Sequence, residues 1–195
     1  MKDITKNEML IVLRIFKNTR EEYNATSLSK IIKITRMGAL KILKRLEKEE
    51  ILTSRELGKA VFYNINFKNL YAREYIRFLL KRETENPPNT ESKIWVRDLR
   101  QIKNADIAVL FGSILTKGKD ANDLDILLVT DKNKFSSLKK EIEQINLPHT
   151  KRIHPIFQTE EDIKNNIKEE DKPLLNAIKG IVVFGEERFI DLIKK

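Results

Sequence analysis

The chain has no cysteine and only two histidines, His149 and His154, among its 195 residues. The first absence excludes disulfides, thiolate zinc sites and a cysteine nucleophile; the second argues against a His-rich metal centre. Any metal must then rest chiefly on carboxylates. No apolar run approaches the ~20 residues of a membrane-spanning helix, and the stretch Met1–Lys6 lacks the apolar core of a signal peptide. Both absences predict a cytoplasmic protein with no membrane partner. Proline is scarce at five residues, so the adjacent pair Pro87–Pro88 stands out.

What is abundant is charge, and it is unevenly placed. Residues 1–82 hold 19 Lys+Arg against 9 Asp+Glu, whereas 83–195 hold 19 against 20, so the whole excess of +9 comes from the first part. Clustered cations release counterions on meeting a polyanion, which makes nucleic acid the natural partner of that part. Pro87–Pro88 lies in a polar stretch, 83–91, that predicts an extended linker between two domains, 1–82 and 92–195.

Upstream of the prolines, Met9, Val12, Leu13 and Phe16 recur at helical spacing and predict a helix over 6–18. A second helix is expected to start at Ser27, with Leu28, Ile31 and Ile32 as its apolar stripe. Thr35 suits the N-cap of a third, reaching Glu50, whose Ala39, Leu43 and Leu46 face inward. Residues 51–57 and 60–66 read as hairpin strands joined by Gly58–Lys59, and a fourth helix follows over 69–82 with Ala72, Tyr75, Ile76 and Leu79 on one face. Three helices and a hairpin make a winged helix-turn-helix. Groove contacts fall to Thr35, Arg36 and Lys41, phosphate contacts to Lys44, Arg45 and Lys48, and wing contacts to Arg55 and Lys59. The segments 43–51 and 58–65 resemble the winged helix of MarR- and ArsR-like transcription regulators. That resemblance implies binding to double-stranded DNA, and dimeric winged helices suggest a homodimer.

Downstream, helices are expected over 92–102, 135–145, 160–168 and 173–178, and strands over 105–111, 124–129, 152–158 and 181–184. The overall class is α+β, with a mixed sheet in the second domain. Within it, an apolar strand ends in Gly112–Ser113, residues 114–122 intervene, and Asp123-Leu124-Asp125 enters a second apolar strand. Gly112 permits close backbone approach to a ligand, and Ser113 can open a helix whose free N–H groups face a phosphate. Two carboxylates two residues apart on a strand point to one side, as a clamp on Mg²⁺ (or Mn²⁺) and a triphosphate requires.

This pattern resembles the DNA polymerase beta nucleotidyltransferase superfamily and, with Gly118 and Asn122, its minimal nucleotidyltransferases. The resemblance implies Mg-dependent transfer of a nucleoside monophosphate from an NTP, usually ATP, to a hydroxyl. Some minimal nucleotidyltransferases modify a HEPN-type toxin, so a toxin-like protein acceptor is a further implied partner. Active members usually add a third carboxylate from the next strand, but here that strand, 151–158, carries no acid. His154 occupies or adjoins the position. A neutral imidazole could serve as a base but replaces an anionic Mg²⁺ ligand poorly, whereas Glu160, Glu161 and Asp162 suit the first turn of the following helix. Two readings follow: a nucleotidyltransferase that binds DNA, or a transcription regulator whose second domain senses nucleotide without turnover.

Overall fold

The computed structural model describes residues 3–18 and 20–194. One compact unit runs to Leu79 and a second spans Leu80–Ile193.

In the first unit, α1 (Lys6–Lys17) is capped by Thr5, whose hydroxyl accepts from the Glu8 N–H at 3.2 Å. Helix α2 (Ala25–Ile32) starts two residues before Ser27 because Asn24 and Ser27 form a reciprocal capping box. Leu28 is its buried anchor, while Ile31 stands exposed rather than in the core. Thr35 caps α3 (Arg36–Lys48) as expected, accepting from the Gly38 N–H at 3.0 Å. Strands β2 (Leu52–Leu57) and β3 (Ala60–Ile65) form the hairpin, which turns through Gly58 at φ +61. A two-residue strand, β1 (Tyr23–Asn24), pairs with β3 and completes an antiparallel sheet of order β1-β3-β2. Ile11, Leu28, Leu43, Leu46 and Ile76 are fully buried between these elements. Burying each such side chain contributes about 1.5–3 kcal/mol.

The fourth helix, α4 (Leu70–Glu85), runs through the first three residues of the expected linker, and the boundary between the units falls inside it. Thr84 explains the extension: buried, it donates to the carbonyls of Leu80 at 2.9 Å and Val182 at 2.6 Å. Asn89 then caps α5 (Thr90–Leu99), so only residues 86–89 lie between the two helices.

The second unit is built on a four-stranded mixed sheet of order β6-β5-β4-β7. Strand β4 (Ile107–Phe111) is buried along its length and pairs antiparallel with β5 (Leu124–Val129) and with β7 (Ile181–Phe184). Between β4 and β5 lie the one-turn α6 (Ile114–Lys117) and a 3₁₀ turn over Gly118–Asp120. Helix α7 (Phe135–Asn146) then leads to β6 (Ile153–Gln158), parallel to β5, so that Asp125 pairs with His154 and Ile126 with Pro155. Strand β6 is an edge, where proline is tolerated. The Leu124 and Thr130 N–H groups donate to the carbonyls of Arg152 and Gln158, and by the two-residue alternation Pro155 turns its nitrogen to the free side.

Helices α8 (Glu160–Lys168), α9 (Lys172–Ala177) and α10 (Glu186–Ile193) follow. Glu160, Glu161 and Asp162 do occupy the first turn of α8, where Thr159 and Asp162 form a capping box. Helix α10, absent from the sequence expectation, buries Phe189, Ile190, Leu192 and Ile193. Trp95, Leu99, Leu110, Leu128, Leu138 and Val183 belong to the continuous core of this unit. Among the described residues, no helix is long and apolar enough to cross a membrane.

Candidate functional site

Two groups of residues carry chemistry, one in each unit. In the second unit, the parallel pairing of β5 and β6 sets His154 beside Asp125, and the bend immediately before β5 brings Asp123 into the same group. The Asp123 Oδ2 lies 3.3 Å from Nδ1 of His154. Among the described residues, Asp123, Asp125 and His154 are the group able to offer three metal-ligand atoms, all within 4.8 Å of one another. Neither carboxylate is paired with a lysine or arginine among those residues. Partial burial, then the nearby Asp123 charge, raises the Asp125 carboxyl above its ordinary range, while His154 pulls the other way. The arrangement concentrates negative charge with one imidazole as company. It fits a dication.

Gly112 supports this group differently from the sequence expectation. Its φ is +81, and a Cβ there would meet the Asp125 Oδ2 at 2.1 Å, so the absent side chain makes room for the protein's own carboxylate. Ser113 opens α6 at its N-cap, but its hydroxyl makes no capping bond. The turn beyond is held by Asn89, whose amide donates to the carbonyls of Ile114 at 2.9 Å and Leu115 at 3.3 Å. That contact was not readable from sequence, since it joins residues 25 and 26 positions apart. His149 is elsewhere: it stacks on Trp95, with ring centroids 4.0 Å apart, and its Nε2 lies 3.0 Å from Asp98 Oδ2.

In the first unit, Lys41, Lys44 and Lys48 form one exposed row along α3, with Arg36 exposed at its start and Lys59 exposed in the hairpin turn. Arg45 does not join that row. It turns to the buried Glu8, which also accepts a hydrogen bond from the Tyr75 hydroxyl. Burial, followed by the Glu8 bond, raises the Tyr75 phenol, which therefore stays a neutral donor. Arg45 is thus a structural partner rather than a phosphate contact, because an ion pair with a 3 % exposed carboxylate is not released cheaply. Arg55 pairs with Glu22 at the surface, and the Thr35 hydroxyl is committed to its cap. Met37, 71 % exposed, precedes Lys41, Lys44 and Lys48 on the same row, at the N-terminal end of α3. A search for cations alone passes over it.

No protein-family model matches the chain, and no curated protein matches it. Solved structures of Lactococcus lactis ZitR do. The wild type is 14 % identical, with a TM-score of 0.30, over 51 % of this chain and 72 % of that one. The wild type in complex with DNA is also 14 % identical at 0.30, over 51 % and 73 %. A structure described as a zinc-responsive MarR family member is 15 % identical at 0.30, over 51 % and 74 %. Likeness at this level leaves the winged-helix reading resting on the element order and sheet described above.

Proposed function

We propose that the chain is a DNA-binding protein whose second unit is a polymerase beta-like nucleotidyltransferase. It would take a nucleoside triphosphate, ATP by preference, with Mg²⁺ or Mn²⁺. The observation that carries this reading is the convergence of Asp123, Asp125 and His154 beside the Gly112–Ser113 turn. A bound dication would neutralise the triphosphate and stabilise charge on the transferred phosphoryl group. Asp123 and Asp125 would hold it, and Gly112 keeps Asp125 in place by leaving its carboxylate unobstructed. The Ser113 hydroxyl and the turn after β4 would face the phosphates. In the reaction, the acceptor hydroxyl oxygen bonds to the α-phosphorus, the bond to the pyrophosphate oxygen breaks, and the hydroxyl proton is lost to solvent.

The outward row of α3, Met37, Lys41, Lys44 and Lys48, would lie along duplex DNA, with Arg36 and Lys59 at its margins. A homodimer would find an apolar surface in the exposed Leu70, Tyr71 and Phe78 of α4. The second reading, a regulator that senses nucleotide without turnover, is favoured by one observation: the third member of the cluster is an imidazole instead of a carboxylate.

Incubating the protein with α-labelled ATP and cell extract separates the two. Covalent label on a nucleic acid, a small molecule or a toxin-like protein supports transfer. Nucleotide binding without labelled product supports the sensor. Absence of dication-dependent nucleotide binding overturns both.

A further inference from the structure

We infer that His154 is a metal ligand and that the Asp123–Asp125–His154 set takes a first-row transition-metal dication in preference to Mg²⁺. This rests on the proposed metal site and adds the identity of its ion.

The geometry comes first. Two ligands each ~2.1 Å from one ion stand roughly 3–3.5 Å apart, and Asp123 Oδ2 and His154 Nδ1 are separated by 3.3 Å. Asp125 completes the set as the direct register partner of His154, its carboxylate held over Gly112. All three ligand atoms lie within 4.8 Å of one another, so small side-chain rotations close them on a common centre.

The chemistry then selects among ions. Mg²⁺ is small and hard, takes oxygen ligands and keeps its waters, whereas imidazole nitrogen suits Zn²⁺ and its first-row neighbours. Replacing an oxygen donor by nitrogen gives up affinity for Mg²⁺ and gains it for Mn²⁺, Co²⁺ or Zn²⁺. The same assignment fixes the tautomer of His154: Nδ1 faces the ion, Nε2 carries the proton, and the ring is withdrawn from service as a general base. His154 sits on an edge strand with 61 % of its side chain exposed, so replacing it leaves the core intact.

The test is calorimetric titration of the full chain with MnCl₂, ZnCl₂ and MgCl₂, without nucleotide. Wild type should bind one Mn²⁺ or Zn²⁺ at least about tenfold more tightly than Mg²⁺. His154→Ala should weaken Mn²⁺ and Zn²⁺ by about tenfold or more, the scale on which even outer-sphere partners act. His154→Asp should restore oxygen ligation and shift the Mg²⁺-to-Mn²⁺ preference by a similar factor towards Mg²⁺. A second readout needs no variant protein for the measurement itself: with only two histidines, substoichiometric Mn²⁺ should broaden the ring-proton NMR signals of one, identified as His154 by their loss in His154→Ala.

Unchanged Mn²⁺ and Zn²⁺ affinity in His154→Ala, or an unchanged ratio in His154→Asp, would overturn the inference while leaving the aspartate site standing; sharp His154 signals would overturn both, because Mn²⁺ held by the aspartates would lie beside that ring. Wild type that binds no dication, or binding that survives Asp123→Asn/Asp125→Asn, would overturn the proposed site as well.

Discussion

Glu8 and the Asp123–Asp125 pair are all acids withdrawn to some degree from water, yet they are treated in opposite ways. Glu8 is buried and has both oxygens engaged, one by the Tyr75 hydroxyl and one by Arg45. Asp123 and Asp125 stand together, more open, with an exposed imidazole beside them. A buried acid saturated by internal donors holds a fold together. Acids gathered without such donors cost stability unless something else arrives, and that is the mark of a site.

The largest expected effect tests the second half of this contrast. Asp123→Asn/Asp125→Asn should abolish dication-dependent ATP binding in calorimetry, and unchanged binding removes the site assignment. The same variant should unfold no more easily in urea at neutral pH. The raised Asp125 pKa means that its stabilising contribution is present below the ordinary carboxylate value of about 3.9 and is lost as pH rises through the folded value. Asparagine has no such loss. Wild-type stability should therefore decline relative to the variant just above the ordinary carboxylate range.

Glu8→Ala should do the reverse. With Arg45 and Tyr75 left without their acceptor, unfolding free energy should fall by about 2–4 kcal/mol, while ATP binding by the second unit is unaffected. A loss below about 0.5 kcal/mol, within the range of ordinary surface changes, would break the contrast.

The cations sharpen it next. Lys41→Ala/Lys44→Ala/Lys48→Ala should lower the slope of log affinity against log salt for duplex DNA by up to ~2.7, at about 0.9 per phosphate contact. Arg45→Ala should leave that slope alone and reduce stability instead. Equal slope changes in the two would return Arg45 to the DNA surface.

Asp162 is an intermediate case, an exposed acid engaged chiefly by the cap of its own helix. The Thr159 backbone N–H, and then its hydroxyl, hold the Asp162 carboxyl below the ordinary range. Its contribution is thus present above the ordinary value and lost as pH falls through the lowered one. Thr159→Ala should cost about 1 kcal/mol by urea unfolding; no change would discount the capping box.

The smallest effect concerns Met37. On a duplex selected from a random library, replacing thymine by deoxyuridine should weaken wild-type binding about two- to fivefold, as loss of one methyl contact predicts. Met37→Ala should be indifferent to the replacement. Equal sensitivity in both would remove Met37 from base reading.

Local patterns were legible where local physics decides. The Thr35 cap and the extent of β5 follow from neighbouring residues and strand period, whereas Asp123 falls in the bend just before the strand. The resemblance to the nucleotidyltransferase superfamily points to His154 at or next to the third-carboxylate position, and the parallel register pairs it with Asp125. Long-range choices were not legible. Helical spacing groups Arg45 with three lysines, but its direction is set by Glu8, 37 residues away. The Pro87–Pro88 pair predicts an extended linker and domain boundary over 83–91, but the boundary falls inside α4 and the hydroxyl of Thr84, within that stretch, finds a carbonyl 98 residues distant. Gly112 was read as space for a ligand. In the fold that space belongs to Asp125.

Pro155 bears on self-association as well as on the site. An edge strand invites a second chain to extend the sheet through its outward N–H groups. On β6 the outward N–H of Ile153 is taken by the side chain of Asn146 at 3.0 Å, and Pro155, next in that row, has none. Two successive rungs of the free edge therefore offer an incoming strand no donor. The protein can keep His154 on an open rim, accessible to an ion, without making that rim a seed for aggregation.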